Sequence, residues 1–105
     1  MFVVLCNCPP GEAHTLARTL VLERLVACIN VIPAVTSYFV WNHRLEESEE
    51  STLIIKVPAP NLDRLRERIH ALHSYDIVEI LVLPVDADRS DADYVEWVRS
   101  FGLSG

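Results

Sequence analysis

Glycine is scarce in this chain, three residues in 105. A loop that cradles phosphate needs glycines so that the backbone can approach its ligand, and no glycine-rich phosphate loop is present. Nor is there a G-x-S-x-G elbow or an H-E-x-x-H helix, so no nucleophile paired with its base is evident. Basic residues are also few: nine Lys and Arg against fifteen Asp and Glu, a net charge of −6. Binding a polyanion requires clustered bases to displace counterions, and these are scattered, which argues against nucleic acid and other phosphate-rich partners. No apolar run approaches the ~20 residues that span a bilayer, and the opening MFVVLCNCPP lacks a basic leader region. The expectation is a soluble, unexported protein that neither crosses nor coats a membrane. Cysteine is limited to Cys6, Cys8 and Cys28, an odd number in apolar, strand-like surroundings, which reads as reduced thiols in a cytoplasm instead of a disulfide framework.

Apolar residues, by contrast, are plentiful: half the chain is hydrophobic and only 23% is charged. A chain of this length is expected to form a single domain over residues 1–105. As a free monomer it has too few polar groups to cover its surface, which favours an oligomer.

The pattern along the chain alternates strands and helices. FVVLCNC (2–8) is rich in β-formers and ends at Pro9-Pro10-Gly11, so it reads as a first strand. Ala13, Leu16, Ala17, Leu20 and Val21 then recur at helical spacing, predicting a helix over roughly 11–25. Residues 26–41 are an extended run rich in Val, Ile, Tyr, Phe and Trp, with a bulge or edge expected at Pro33 because proline removes a ladder donor. Sixteen extended residues reach on the order of 50 Å, so part of this strand must project beyond the sheet. WNHRL (41–45) reads as the tip of a hairpin whose return strand is 46–57. A second helix follows the break at 58–61, with a stripe of Leu62, Leu65, Ile69 and Leu72 and with Asn61 as its N-cap. DIVEILVLPV (76–85) is an almost continuous apolar run, expected to be a strand either central in the sheet or packed on a neighbouring subunit. Ser90 followed by Asp93 resembles the start of a last short helix carrying Tyr94, Val95, Trp97, Val98 and Phe101. The predicted fold is therefore α+β, a ferredoxin-like βαββαβ sandwich with a long β2–β3 hairpin and a C-terminal helix, its two main helices on one face of an antiparallel sheet. The other face is apolar and bare, and packing several sheets around an axis covers it.

Residues able to bind metal are few. Cys6-Asn7-Cys8 is a C-x-C and not a paired zinc knuckle. Alternation puts both thiols on one side of the strand, where they either offer soft ligands to Cu(I) or simply fill core space. His70 and His73 lie three apart near the end of the second helix, where imidazoles suit a metal or the helix dipole alike. Glu46, Glu47, Glu49 and Glu50 lack the glycine turn of a calcium loop and read as a solvated strand edge that deters aggregation. Asp86, Asp88, Asp91 and Asp93 lack the glycine and distal glutamate of such a loop and suit loop solubility and helix capping. His73, Tyr75 and Glu79 flank one turn and strand, near enough in sequence to share a proton, although no enzyme is expected.

LVACINVIPAVTSYFVW (25–41), LEESEESTLIIKV (45–57), LHSYDIVEILVLPV (72–85) and DYVEWV (93–98) together resemble the CutA divalent-cation tolerance proteins, over essentially the whole chain and in order. That resemblance implies a tight homotrimer similar in architecture to the PII nitrogen-signalling proteins, with long hairpins pairing between subunits. It also implies a non-enzymatic role in tolerance of copper and other divalent ions, with Cys6 and His73 as metal ligands and His70, Tyr75 and Glu79 around the cleft. No cofactor is required, copper or another divalent metal being the expected ligand, and an unidentified protein partner is a further expectation. The alternatives are a PII-like module sensing a small molecule and a stable trimeric scaffold. The chain departs from the family pattern at Leu72, where some members carry a second histidine, at Ser74 and Val78, where proline is usual, and at the tip, where W-N-H-R replaces W-E-G-K.

Overall fold

Alternation of side chains along the strands decides which face becomes the core. The computed structural model describes residues 1–102. In strand β1, Phe2–Cys8, the residues Val4, Cys6 and Cys8 are fully buried while their neighbours are half-exposed. In β3, Arg44–Val57, the residues Leu53, Ile55 and Val57 do the same, and β1 and β3 pair antiparallel from Phe2 opposite Val57 to Cys8 opposite Ser51. One face of this pair is thus apolar, and two helices lie on it. Helix α1, Ala13–Leu22, contributes Ala13, Leu16 and Leu20; helix α2, Leu62–Leu72, contributes Leu65 and Ile69. The helical spacing of those residues makes the contact possible. With β2 (Cys28–Trp41) and β4 (Leu81–Pro84), the four strands lie in the order β2-β3-β1-β4, all neighbours antiparallel, as the ferredoxin-like arrangement requires. The opposite sheet face carries half-exposed Val3, Leu5 and Ile54.

The long hairpin is present. Strand β2, Cys28–Trp41, pairs with β3 along its whole length, whereas β1 reaches only to Ser51. Residues 35–50 therefore pair only with one another and extend as an arm roughly 20 Å beyond the sheet. The expected bulge is found: the register shifts between Ile32 and Val35, and the Ser51 hydroxyl donates to the carbonyl of Pro33 at 2.7 Å. At the tip, Asn42 and His43 take left-handed φ angles of 52° and 65°, a two-residue reversal whose twist matches the strands it joins. The turn is thus shorter than the five residues expected, and β3 begins at Arg44.

Three other expectations are corrected. Helix α1 is shorter than 11–25: residues Pro10–Glu12 form a single 3₁₀ turn, and Arg24 has a left-handed φ of 60°, ending the helix. Asn61 stands at the start of α2, but its side chain does not cap it; its amide donates to the carbonyls of Leu25 at 2.9 Å and Phe101 at 2.8 Å, tying three parts of the chain together. The last helix, α3 (Ala92–Arg99), is capped by Asp91, whose carboxylate accepts from the Tyr94 amide at 2.9 Å, while the Ser90 hydroxyl turns back to Asp86.

The fourth strand departs most. β4 is Leu81–Pro84, four residues, and it lies at the sheet edge with Leu81, Val82 and Leu83 exposed by 54%, 37% and 45%. It is not central. It pairs only with Phe2–Leu5 of β1, and residues 76–80 leave the ladder so that Val78 and Ile80 can pack against the core. No helix among the described residues is long and apolar enough to cross a membrane.

Candidate functional site

What takes the place of β4 beside the end of β1 is a side chain. His73 follows α2 in an extended conformation, φ −86° and ψ 141°, its amide still bonded to the Ile69 carbonyl. Its ring is thereby turned toward the part of β1 that β4 leaves unpaired, and Nε2 lies 2.8 Å from the Asn7 carbonyl. On the ring's other side, Nδ1 lies 3.1 Å from the Tyr75 amide. A carbonyl only accepts and an amide only donates, so the proton sits on Nε2 and the lone pair on Nδ1. Both nitrogens are occupied, and the imidazole fills the place of a missing ladder bond.

The next two residues fasten elsewhere. The Ser74 hydroxyl donates to the Glu12 carboxylate at 2.6 Å, and the Tyr75 hydroxyl donates to that of Glu50 at 3.1 Å. The rings of His73 and Tyr75 pack with centroids 4.8 Å apart. Burial, reinforced by the hydrogen bond and charge of Glu50, pushes the Tyr75 phenol up to about 12.

Under this segment lie the two thiols. Burial, with the charges of Cys8, Glu79 and Glu50 added, pushes the Cys6 thiol up to about 12; burial and the charges of Glu12 and Glu50 push Cys8 up to about 11. Both are neutral at physiological pH. Burial and Glu50 also raise the Glu79 carboxyl above its usual range. The groups within electrostatic range of the thiols are thus acids and a phenol.

Of the residues expected at the site, the structure joins His73 to Tyr75 directly and places Cys6 within electrostatic range of Glu79. His70 stays exposed in the last turn of α2 and has no hydrogen bond or ion pair to the others among the described residues. Among those residues no three His, Cys, Asp or Glu side chains converge as a metal cage. A soft metal suits the sulfur of Cys6 chemically, but to engage this pair it must displace the Cys6 proton and one hydrogen bond of His73.

Two participants were not foreseen. Glu50 was expected with its neighbours as a solvated edge; instead it is only 8% exposed and acts on both thiols, Tyr75 and Glu79. The bulge breaks the alternation of β3 so that Glu50 and Ser51 are both buried in succession. Pro33 signalled the bulge, but nothing in the sequence signalled its effect on the strand opposite. Glu12, anchor of Ser74, read only as an acid near the start of a helix. On the arm side of Tyr75 an open trough of about 820 Å³ runs between Phe39, Trp41, Glu46 and Asp76-Ile77.

Comparison with known proteins places this arrangement. Residues 2–100 match the family model described as CutA1 divalent ion tolerance protein. The chain is 39% identical over 98 residues to the divalent-cation tolerance protein CutA of Thermus thermophilus, covering 92% of this chain and 93% of the relative. It is 34% identical to the human protein CutA over 89% of its own length but spans only 51% of that protein. Among solved structures it is similar to the PII-like protein CutA from Nostoc sp. PCC 7120 in apo form, with a TM-score of 0.93, 35% identity and 98% of each chain covered.

Proposed function

The chain belongs to the CutA1 divalent ion tolerance family, and we propose that it works in the cytoplasm as a non-enzymatic homotrimer that responds to divalent metal, with copper as its ligand near Cys6 and His73. The observation that carries the assembly is the arm. Tyr38, Phe39, Val40, Trp41 and Leu45 are exposed by 44% to 74%, and β4 beside the body of the sheet is equally bare. Each such side chain, fully buried, contributes about 1.5–3 kcal/mol, so covering the arm is a strong drive to associate. Three copies around an axis cover arms and sheet edges together and leave clefts between subunits near Tyr75 and Glu79. Replacing Phe39 and Trp41 by Lys should convert the assembly to smaller species in sedimentation; an unchanged assembly would remove the arm from the interface.

The metal half of the proposal is supported by the relatives' names and by a soft sulfur flanked by acids. Because Cys6 holds its proton so tightly, copper binding should release that proton and strengthen as pH rises. Copper calorimetry on the wild type, Cys6→Ser and His73→Ala should show weaker binding by both variants, and equal affinities in all three would end this ligand assignment. Beyond these two residues, Tyr75 and Glu79 border the cleft and His70 stands as a substitute imidazole.

A second reading, a PII-like sensor of a small metabolite that signals to a protein partner, is favoured by the trough beside Tyr75. Thermal-shift screening with nucleotides and amino acids beside copper separates the two. Melting that responds to neither supports a plain trimeric scaffold.

A further inference from the structure

Three consecutive residues fasten onto three different elements: His73 onto β1 at Asn7, Ser74 onto the turn before α1 at Glu12, Tyr75 onto β3 at Glu50. The chain that follows is held in an unusual way. Among the described residues, 74–80 make no backbone-to-backbone hydrogen bond, and regular pairing resumes only at Leu81. Val78 and Ile80 press on the cluster that contains Cys6 and Cys8, while Glu79 and Tyr75 lie within electrostatic range of Cys6 and Cys8 respectively. The thiol-bearing end of the sandwich is therefore closed by a segment that, beyond the His73 amide bond at the end of α2, is attached through side chains, each bond of modest net worth and replaceable by water once broken. Segments of that kind open locally at far lower free energy than the strands and helices around them.

We propose that residues 73–80 are a strap, latched by His73, Ser74 and Tyr75, that opens as a unit and so controls the access of a soft, thiol-seeking metal ion to Cys6 and Cys8. The strap explains how thiols with no exposed surface accept a ligand without the fold coming apart. The choice of a metal as the ligand rests on the functional reading above; the gating itself does not.

Cys28 supplies an internal reference. It lies half-buried at the start of β2, close to Tyr94 of α3, and is no part of the latch bonds, which run to Asn7, Glu12 and Glu50. Native protein is treated at fixed pH with N-ethylmaleimide, a neutral thiol reagent, and alkylation is followed cysteine by cysteine by peptide mass spectrometry. Tyr75→Phe, which keeps the ring and loses the bond to Glu50, and Ser74→Ala should each speed labelling of Cys6 and Cys8 several-fold, and together by roughly tenfold or more, leaving Cys28 unchanged. Rates at Cys6 and Cys8 that stay constant, or that rise only in step with Cys28, overturn the strap. The wild type decides independently: labelling of Cys6 in dilute urea should depend on denaturant much less steeply than global unfolding, and equal slopes refute local opening. No metal enters this experiment, so a failed copper titration with selective labelling intact would reject the metal and keep the gate.

Discussion

Raising the pH should loosen this protein through its two core thiols. In the folded chain Cys6 keeps its proton up to about 12 and Cys8 up to about 11, chiefly because burial disfavours the thiolate; released from the fold, both ionise near 9.0. The folded state thus binds more protons than the unfolded one above pH 9. The associated stability is fully present below the unfolded value and is lost as pH rises toward the folded values. Each thiol removes about 1.4 kcal/mol per pH unit within that interval, so moving from about pH 8 to about pH 10 should weaken folding by roughly 2–3 kcal/mol for the pair. Urea unfolding at both pH values, on the wild type and on Cys6→Ala with Cys8→Ala, measures it. The double variant starts less stable because it has lost two buried sulfurs, yet its further loss on alkalinisation should be smaller by that 2–3 kcal/mol. An identical pH dependence in the two proteins refutes the reasoning.

Other consequences are as direct. Asn61 is fully buried and its amide serves two carbonyls, so Asn61→Ala should destabilise the chain by about 2–4 kcal/mol in urea unfolding, and a loss under about 1 kcal/mol would mean those carbonyls find other donors. His43→Gly should stabilise by a few tenths to about 1 kcal/mol, since glycine takes a φ of 65° without the Cβ penalty; a lower melting temperature would contradict the left-handed turn. Burial and Glu50 raise the Glu79 carboxyl, so the ionised form opposes folding at neutral pH and the opposition fades as acid protonates it. Glu79→Gln should accordingly melt higher than the wild type near neutrality, with the gap closing on acidification; a gap that widens in acid reverses the sign of that interaction.

How far the sequence carries can be seen element by element. Strand β1 and the arm were readable because alternation and β-branched runs reflect contacts made along the strand itself. Pro33 announced its bulge through the donor it lacks. The run 76–85 misled because an apolar stretch says that side chains need cover and not what supplies it: Val78 and Ile80 find it against the core, Leu81 and Leu83 lie bare in the single chain, and pairing with β1 begins at Leu81. At the site, family resemblance pointed to Cys6 and His73, but the use of both imidazole nitrogens depends on Asn7, far off in sequence, and on how α2 ends. Glu50 was hidden for the same reason, its burial following from a register shift on the facing strand. Asn61 shows the reverse: the residue type suited a cap, while two distant carbonyls claimed its amide.

Assembly is the claim on which the proposed function stands, because the exposed arm and the bare β4 edge find their cover in the proposed trimer. Light scattering on the purified protein, diluted to low micromolar concentration, tests it most directly. A particle of three chains, each of 11.9 kDa, is the predicted result; a stable monomer with the arm folded and exposed would contradict it.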